Sequence, residues 1–419
     1  MYIAFILQSF PVLSETFILN QITGLLARGH DVDVFALHRN PSLETHAEVE
    51  EFSLADRSYY SSSVPRGRVA RMAKGLALYA AYLRRNPLKI LRSTNLVKHG
   101  RKSPFITPLY FTIPIRDRGK YDYDIIQCHF GTIGNWAASL RHLGIITGKI
   151  VTMFHGVDIR EGIDSGGDIY DLLKAEGDCF LSISAYNRHH LLEFGFPEER
   201  ILHHPVGVDT SFFGHPGNRP YERDREIRIL SVARLVEEKG LDTGILAFRK
   251  LVERLPNLRV SYRILGSGPL EKKLCALAAE LGVSGSVVFL GEGNAERVRE
   301  EMQKADVYLL PSNNEALPVS LMEASSTGLP VVASNVGSVW ELVQDRVSGF
   351  VVRKGDADDL ADKLLYLVLH PEIRAEMGRA GRAHIKAHYD INVLNDRLVD
   401  LYGRLLSNRN SSLTPESIL

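Results

Sequence analysis

Short apolar runs alternate along nearly the whole chain with longer segments in which apolar residues recur every three or four positions. The runs read "YIAFIL", "DVDVFAL", "DIIQCHF", "KIVTMFHG", "DCFLSIS" and "RILHHPVGVD" in the first half, then "IRILSVAR", "LRVSYRILG", "SVVFLG", "DVYLLP", "LPVVAS" and "SGFVV". Runs of this kind suit strands buried on both faces, and helix-period segments between them supply the crossovers that parallel strands need. The pattern predicts an α/β protein with parallel sheets and helices on both faces. It breaks at "PVGVDTSFFGHPGNRPYERD", which is rich in Gly and Pro. The expected organisation is a first domain over residues 1–205, a linker over 206–224 and a second domain over 225–384. The helix-period segment from about 385 to 406 lies in a C-terminal part, 385–419, that could return to the first domain.

Composition narrows this reading. A chain of 419 residues exceeds what one core usually organises, which agrees with two domains. Cys128, Cys179 and Cys275 are far apart, with no CxxC pair and no His spacing suited to zinc, so neither a disulfide framework nor a structural metal is expected. The opening residues look like a buried strand rather than a secretory signal, and no run approaches the roughly 18 apolar residues of a membrane span. A cytoplasmic location is the expectation.

The balance of 50 basic and 50 acidic residues conceals an asymmetry. No acidic residue lies between Asp56 and Asp117, while thirteen Lys and Arg fall in residues 57–116. Within that stretch Val69, Met72, Leu76, Tyr79 and Leu83 recur at helical spacing, which predicts a basic amphipathic helix over about 68–84. Such a helix can lie on an anionic membrane, each cation contributing about 1 kcal/mol near the surface. It can equally pack on its own domain with a solvated basic face. Nothing in the pattern points to nucleic acid.

Candidate chemistry concentrates in the second half. "DVYLLPSNNEALPVSLMEASSTGLPVVAS" reads as strand, loop, short helix, turn and strand. Pro318 suits the first helical turn, and Gly328 followed by Pro330 ends the helix. Glu315 then lies on the loop and Glu323 inside the helix. Free amides around Leu317 and Val319 can meet an anion, helped by the helix dipole. One carboxylate can accept hydrogen bonds from sugar hydroxyls and the other can hold a ribose diol. In "IRILSVARLVEEKGLDTGILAF", Arg234 ends a strand and Lys239 precedes a helix. A cation at a helix amino end opposes the macrodipole, which makes sense if an anion lies between. The alternative is a Lys239 that is solvated or paired with Glu237 or Glu238.

The ordered set "SVARLVEEKG", "LGSGP", "VVFLG", "PSNNEALPVSLMEASSTGLPVVAS" and "NVGSVWELVQDRVSGFVV" resembles the retaining glycosyltransferases of family 4, with their E-x7-E motif. The first half resembles them more loosely, through "DIIQCHFG", "FHGVDI", "SISAYNRHHL" and "HHPVGVD". The resemblance implies a GT-B fold, two facing Rossmann-like domains with an interdomain cleft. It implies that Arg234 and Lys239 bind the donor diphosphate, that Glu315 contacts the donor sugar, and that Ala316, Leu317, Pro318 and Val319 line the phosphate turn. Glu323 would take the ribose hydroxyls, with Gly266 on the donor side and Leu290 and Gly291 walling the nucleobase. His155 of "FHG" would hydrogen-bond the donor sugar rather than abstract a proton. His129 is either an acceptor contact or a packed core histidine. No cofactor or metal is expected, since the nucleotide sugar is a substrate and the cations do the electrostatic work.

Family relatives often carry a glycine-rich loop after the first strand, whereas this chain has "QSFPVLSETFILNQ". Ser14 can cap a helix beginning at Glu15, with Thr16 in the first turn, running on to stop near Gly29. These three residues are either acceptor-side groups, Glu15 above all, or only the start of a helix. "FPxxSETF" resembles a subgroup associated with bacterial exopolysaccharide and colanic-acid-type assembly. That implies a retaining hexosyltransferase using a nucleotide sugar, UDP-linked in preference to GDP-linked, and a glycan acceptor carried on lipid. The enzyme would then be peripheral on the inner face of the cytoplasmic membrane. Rival readings are a non-hydrolysing nucleotide-sugar epimerase, a sugar phosphorylase and a non-catalytic two-lobed sugar-binding protein.

Overall fold

A computed structural model of the chain describes residues 1–12, 16–39, 47–60, 118–214 and 226–407, together with Ala70, Ala73, Ala77 and Ile115. Ser14 and Glu15, most of the basic segment 57–116 and the linker residues 215–224 lie outside the described residues. Of the amphipathic helix expected over 68–84, Ala70, Ala73 and Ala77 are described, and they are helical and exposed.

The chain divides into two compact units. The first comprises Met1–His204 and Asn395–Leu419, the second Pro205–Leu394. Each is a Rossmann-like layer of parallel strands. The first holds β1 (Tyr2–Phe10), β2 (Asp31–Arg39), β3 (Ser58–Tyr60), β4 (Asp122–His129), β5 (Thr147–Phe154), β6 (Cys179–Ser182) and β7 (Ile201–His203). They are arranged in the order β3-β2-β1-β4-β5-β6-β7. The second holds β8 (Ile227–Val232), β9 (Val260–Leu265), β10 (Val287–Phe289), β11 (Val307–Leu310), β12 (Val331–Ser334) and β13 (Gly349–Val352), in the order β10-β9-β8-β11-β12-β13. The strand order reverses beside β1 in one sheet and β8 in the other, and ligands of such sheets lie beyond the carboxyl ends at that switch.

Every apolar run named above contains a strand. β3, a three-residue edge strand reading "SYY", is one that the pattern does not announce. Central strands are mostly apolar because helices cover both faces, with Gln127, Thr152, Ser231 and Ser261 as buried polar residues among them. Phe5, Phe154 and Phe180 are fully buried in the first unit, Phe248 and Tyr262 in the second, each worth roughly 1.5–3 kcal/mol of burial.

The helix-period segment 385–406 is not one helix but spans the end of the helix Pro371–His388 and the whole of Ile391–Leu406. The break has a local cause. Asp390 forms a bridge with Val208 and accepts from the backbone N–H of Asn392 at 2.9 Å and from the Thr210 hydroxyl. The last helix packs on the first unit: Tyr402 is fully buried with its hydroxyl donating to Gln127 Oε1 at 2.7 Å, and Asn395 donates to the Asn20 carbonyl at 3.2 Å.

Candidate functional site

In the second unit, two loops at the carboxyl ends of β8 and β11 are tied by their own backbones. The Glu238 carbonyl accepts from the N–H groups of Asn313 and Asn314, at 2.8 and 3.1 Å, and Asn313 Nδ2 donates to the Glu237 carbonyl at 2.9 Å. Gly240, between Lys239 and the helix Leu241–Glu253, has φ +55°, and a Cβ there would lie 2.2 Å from the Pro311 carbonyl oxygen. Only glycine allows the loops to come this close.

That approach delivers Lys239 to Glu315. Lys239 Nζ donates to Glu315 Oε1 at 2.7 Å, and Ser312 Oγ donates to the same oxygen, also at 2.7 Å. Glu315 is buried, whereas Lys239 is half-buried. Lys239 therefore pairs with Glu315. Among the described residues Oε2 has no partner, leaving it open to a hydroxyl donor. Gly337, at φ +53°, closes the far side. A Cβ there would fall 1.7 Å from the Glu315 carbonyl oxygen, and the next residue, Ser338, donates its N–H to the Ala316 carbonyl at 3.2 Å.

Pro318 caps the helix Val319–Ser326. Its carbonyl accepts from Leu321 and Met322, whereas the N–H groups of Leu317, Val319 and Ser320 have no backbone partner among the described residues. They form the donor set of a helix amino end, where an anion is favoured. Tyr308 braces this end from β11. Its hydroxyl lies 2.8 Å from Ser320 Oγ and 3.3 Å from the Val232 carbonyl, joining the end of β8 to the helix. Within the helix, Glu323 is half-buried, its carboxylate makes no hydrogen bond or ion pair among the described residues, and burial pushes its carboxyl up to about 7. Arg234 is exposed, its guanidinium likewise unpaired among the described residues.

Gly266, Leu290 and Gly291 come together at the ends of β9 and β10. The Gly266 N–H donates to the Gly291 carbonyl at 2.8 Å, and the Leu290 carbonyl accepts from Arg297 at 2.7 Å. An open cleft lined by Val236, Glu237, Glu238, Pro269, Leu270, Asn313, Asn314 and Lys354 also lies in this unit, and no residue expected to bind the donor lines it.

In the first unit, His155 follows β5 and is the N-cap residue of the helix Gly156–Ser165. The Asp158 carboxylate accepts from the N–H groups of His155 at 2.7 Å and Gly131 at 2.9 Å, so one side chain joins the turns after β5 and β4. His129 is fully buried at the end of β4. Its Nδ1 lies 3.1 Å from His155 Nε2 and its Nε2 3.0 Å from Gln21 Oε1. Phe17 and Phe130 flank the His155 ring, with centroids 4.7 and 4.8 Å away. Burial holds both histidines below their ordinary range, His155 at about 3. Thr16 is half-buried at the start of the helix Thr16–Ala27. The sequence did not single out Ser312, Tyr308, Gly337, Gln21 or Asp158. Of these, Ser312, Gly337 and Asp158 fall in segments quoted for the family resemblance.

Two Rossmann-like parallel sheets of this order make up the GT-B fold. The chain belongs to glycosyltransferase family 4. Residues 14–212 match the profile described as Glycosyltransferase Family 4, and residues 218–384 that described as Glycosyl transferases group 1. The chain is 34% identical to an Escherichia coli K12 protein named WcaL, for colanic acid biosynthesis, over 96% of this chain and 99% of that one. It is 32% identical to the amylovoran biosynthesis glycosyltransferase AmsK of Erwinia amylovora, over 97% and 100%. Among solved structures, sucrose-phosphate synthase from Thermosynechococcus elongatus superposes with a TM-score of 0.70 at 18% identity, over 97% of this chain and 99% of that one. Anabaena Alr3699/HepE, solved with UDP, gives 0.68 at 16% identity, over 96% and 100%. At such identities the likeness is one of fold.

Proposed function

We propose that this chain moves a hexose-type sugar from a nucleotide-sugar donor, UDP-linked in preference to GDP-linked, to a glycan acceptor carried on lipid, in exopolysaccharide or cell-surface glycan synthesis. The observation that carries the reading is the Lys239–Glu315 pair, its carboxylate buried, beside a helix amino end whose first N–H groups have no backbone partner among the described residues. The names of the WcaL and AmsK relatives support the pathway.

The second unit offers two kinds of group to a donor. Arg234, Lys239 and the amides of Leu317, Val319 and Ser320 can neutralise a diphosphate, and the guanidinium suits its oxygens in a fork. Glu315 Oε2 can accept a sugar hydroxyl and Glu323 a ribose diol. The anomeric carbon's bond to the diphosphate oxygen breaks as its bond to the acceptor oxygen forms on the same face, and the acceptor proton passes to the leaving phosphate oxygen. Charge accumulates on the diphosphate, where these fixed donors act, so no metal is required. Configuration at the anomeric carbon is retained.

The test is incubation of the full chain with UDP- and GDP-sugars, with and without a lipid-linked glycan. The expected result is acceptor-dependent release of UDP, insensitive to chelator, with a retained linkage by NMR. Epimerised donor without transfer would overturn the reading in favour of an epimerase. Salt-sensitive flotation with anionic liposomes tests the membrane contact proposed for residues 57–116.

A further inference from the structure

β4 ends beside the point where the strand order of the first sheet reverses, and the residue that leaves it is Phe130. Phe130 has φ +74° and ψ 139°, a conformation that glycine adopts freely and an aromatic residue rarely does. Both of its own backbone groups are engaged. Its N–H donates to the Met153 carbonyl at 2.9 Å, and its carbonyl accepts from the N–H groups of Ile133 and Gly134, each at 3.1 Å. The next N–H, of Gly131, donates to the buried Asp158 carboxylate at 2.9 Å.

Gly131 explains the bend but not the residue that bears it. A Cβ at Gly131 would fall 2.5 Å from Phe154 Cε1 and 2.6 Å from Tyr170 Cε1, so the helix Gly131–His142 starts tight against those rings and the chain turns one residue earlier. Glycine at position 130 would make that turn without strain. A bulky side chain kept there by the surrounding hydrogen bonds points to a use for the side chain itself. The Phe130 ring is half-buried, and its centroid lies 4.8 Å from that of His155, whose ring also meets Phe17 at 4.7 Å. The three rings form one group where the chain leaves β4 and β5 and enters the helix Thr16–Ala27.

We infer that Phe130 is an acceptor-binding residue, its ring a platform for the apolar C–H face of a sugar in the acceptor glycan. A pyranose with equatorial hydroxyls carries them at its rim and exposes C–H groups on its faces, and those weakly positive hydrogens suit the negative face of an aromatic ring. The place is the switch of the first sheet, where a ligand lies beyond the strand ends. The occupant is the acceptor because the groups proposed to hold the nucleotide all belong to the second unit. The inference rests on the proposed transfer reaction for its substrate, and not for the backbone strain.

The test uses the full chain with Phe130→Ala, Phe130→Gly and Phe130→Tyr. Phe130→Ala should raise KM for the lipid-linked glycan of the transfer assay about tenfold, with the affinity for UDP alone unchanged. Phe130→Tyr keeps a ring and should recover most of that loss. Phe130→Gly should raise KM as alanine does, yet unfold at a higher denaturant concentration than Phe130→Ala, because only glycine relieves the left-handed backbone. An alanine variant with the wild-type KM for the glycan overturns the inference whatever its stability, since the ring then serves packing alone. So does an equal loss of UDP affinity, which marks a general distortion. A glycine variant no more stable than the alanine one also overturns it, because the backbone is then unstrained. If the wild-type chain releases nucleotide from no donor, the proposed function fails and the platform loses its substrate, while the comparison of glycine with alanine still decides the strain.

Discussion

Lys239 Nζ and Glu315 Oε1 are 2.7 Å apart although 76 residues separate them in sequence, and the carboxylate is buried while the ammonium reaches solvent. The pair leaves Lys239 with donors to spare and Glu315 with one free oxygen. It therefore orients two ligand-binding groups at once.

Lys239→Ala removes the cation and leaves a buried carboxylate with Ser312 as its remaining hydrogen-bond donor. Turnover should fall by roughly 10²–10³, the usual loss for a preorganised electrostatic donor. Stability should fall by about 1–3 kcal/mol, because the carboxylate is left under-satisfied. Steady-state kinetics and denaturant unfolding measure the two. Wild-type turnover in this variant would remove Lys239 from the site.

Arg234 makes the complementary case. It is exposed and has no protein partner among the described residues, so Arg234→Ala should change stability by no more than about 0.5 kcal/mol. Affinity for a nucleoside diphosphate should drop roughly tenfold to a hundredfold, the value of a charge-assisted hydrogen bond. Calorimetric titration with UDP and a melting curve on the same sample separate the two effects. A stability loss with intact affinity would make Arg234 a structural residue.

Gly337→Ala tests the loop that closes on Glu315. The new Cβ would need φ +53° and would fall 1.7 Å from the Glu315 carbonyl oxygen. Left-handed strain and overpacking together should cost roughly 2–4 kcal/mol. The loop must move away to relieve the clash, so activity should be lost even in protein that remains folded. Kinetics well below the melting transition check this, and full activity there would show that the loop position is immaterial.

The sheets were legible because the strands are predominantly apolar and bounded by turn residues, as in "DVYLLP" and "LPVVAS". β3 escaped because three residues at a sheet edge carry no period. Lys239 and Glu315 were each legible as site residues, but their pairing depends on Gly240 and on the Glu238 carbonyl, a tertiary approach that no local pattern encodes. Gln21 was hidden for a related reason. It lies on the buried side of the helix Thr16–Ala27, and its partners His129 and Met153 come from β4 and β5, more than 100 residues away. The break between the last two helices was invisible because Asp390 is bent by Val208 and Thr210, which belong to a distant segment.

Glu323 supplies a pH dependence whose sign can be worked out. Burial lifts its carboxyl to about 7 in the folded chain, against about 4.5 when exposed. Between those values the folded state holds the extra proton, so this residue's contribution to stability is complete below about 4.5 and is lost as pH rises through 7. Ligand binding runs the other way, because a ribose diol donates to the ionised carboxylate and gains less from the protonated form. Affinity for UDP should therefore rise several-fold from about pH 6 to about pH 8 while the unfolding free energy declines over the same interval. Glu323→Gln cannot titrate and should flatten the affinity profile at the weaker, low-pH level. Calorimetry across the pH range measures it, and a wild-type profile that stays flat, or a glutamine variant that keeps the slope, would take the ribose contact away from Glu323.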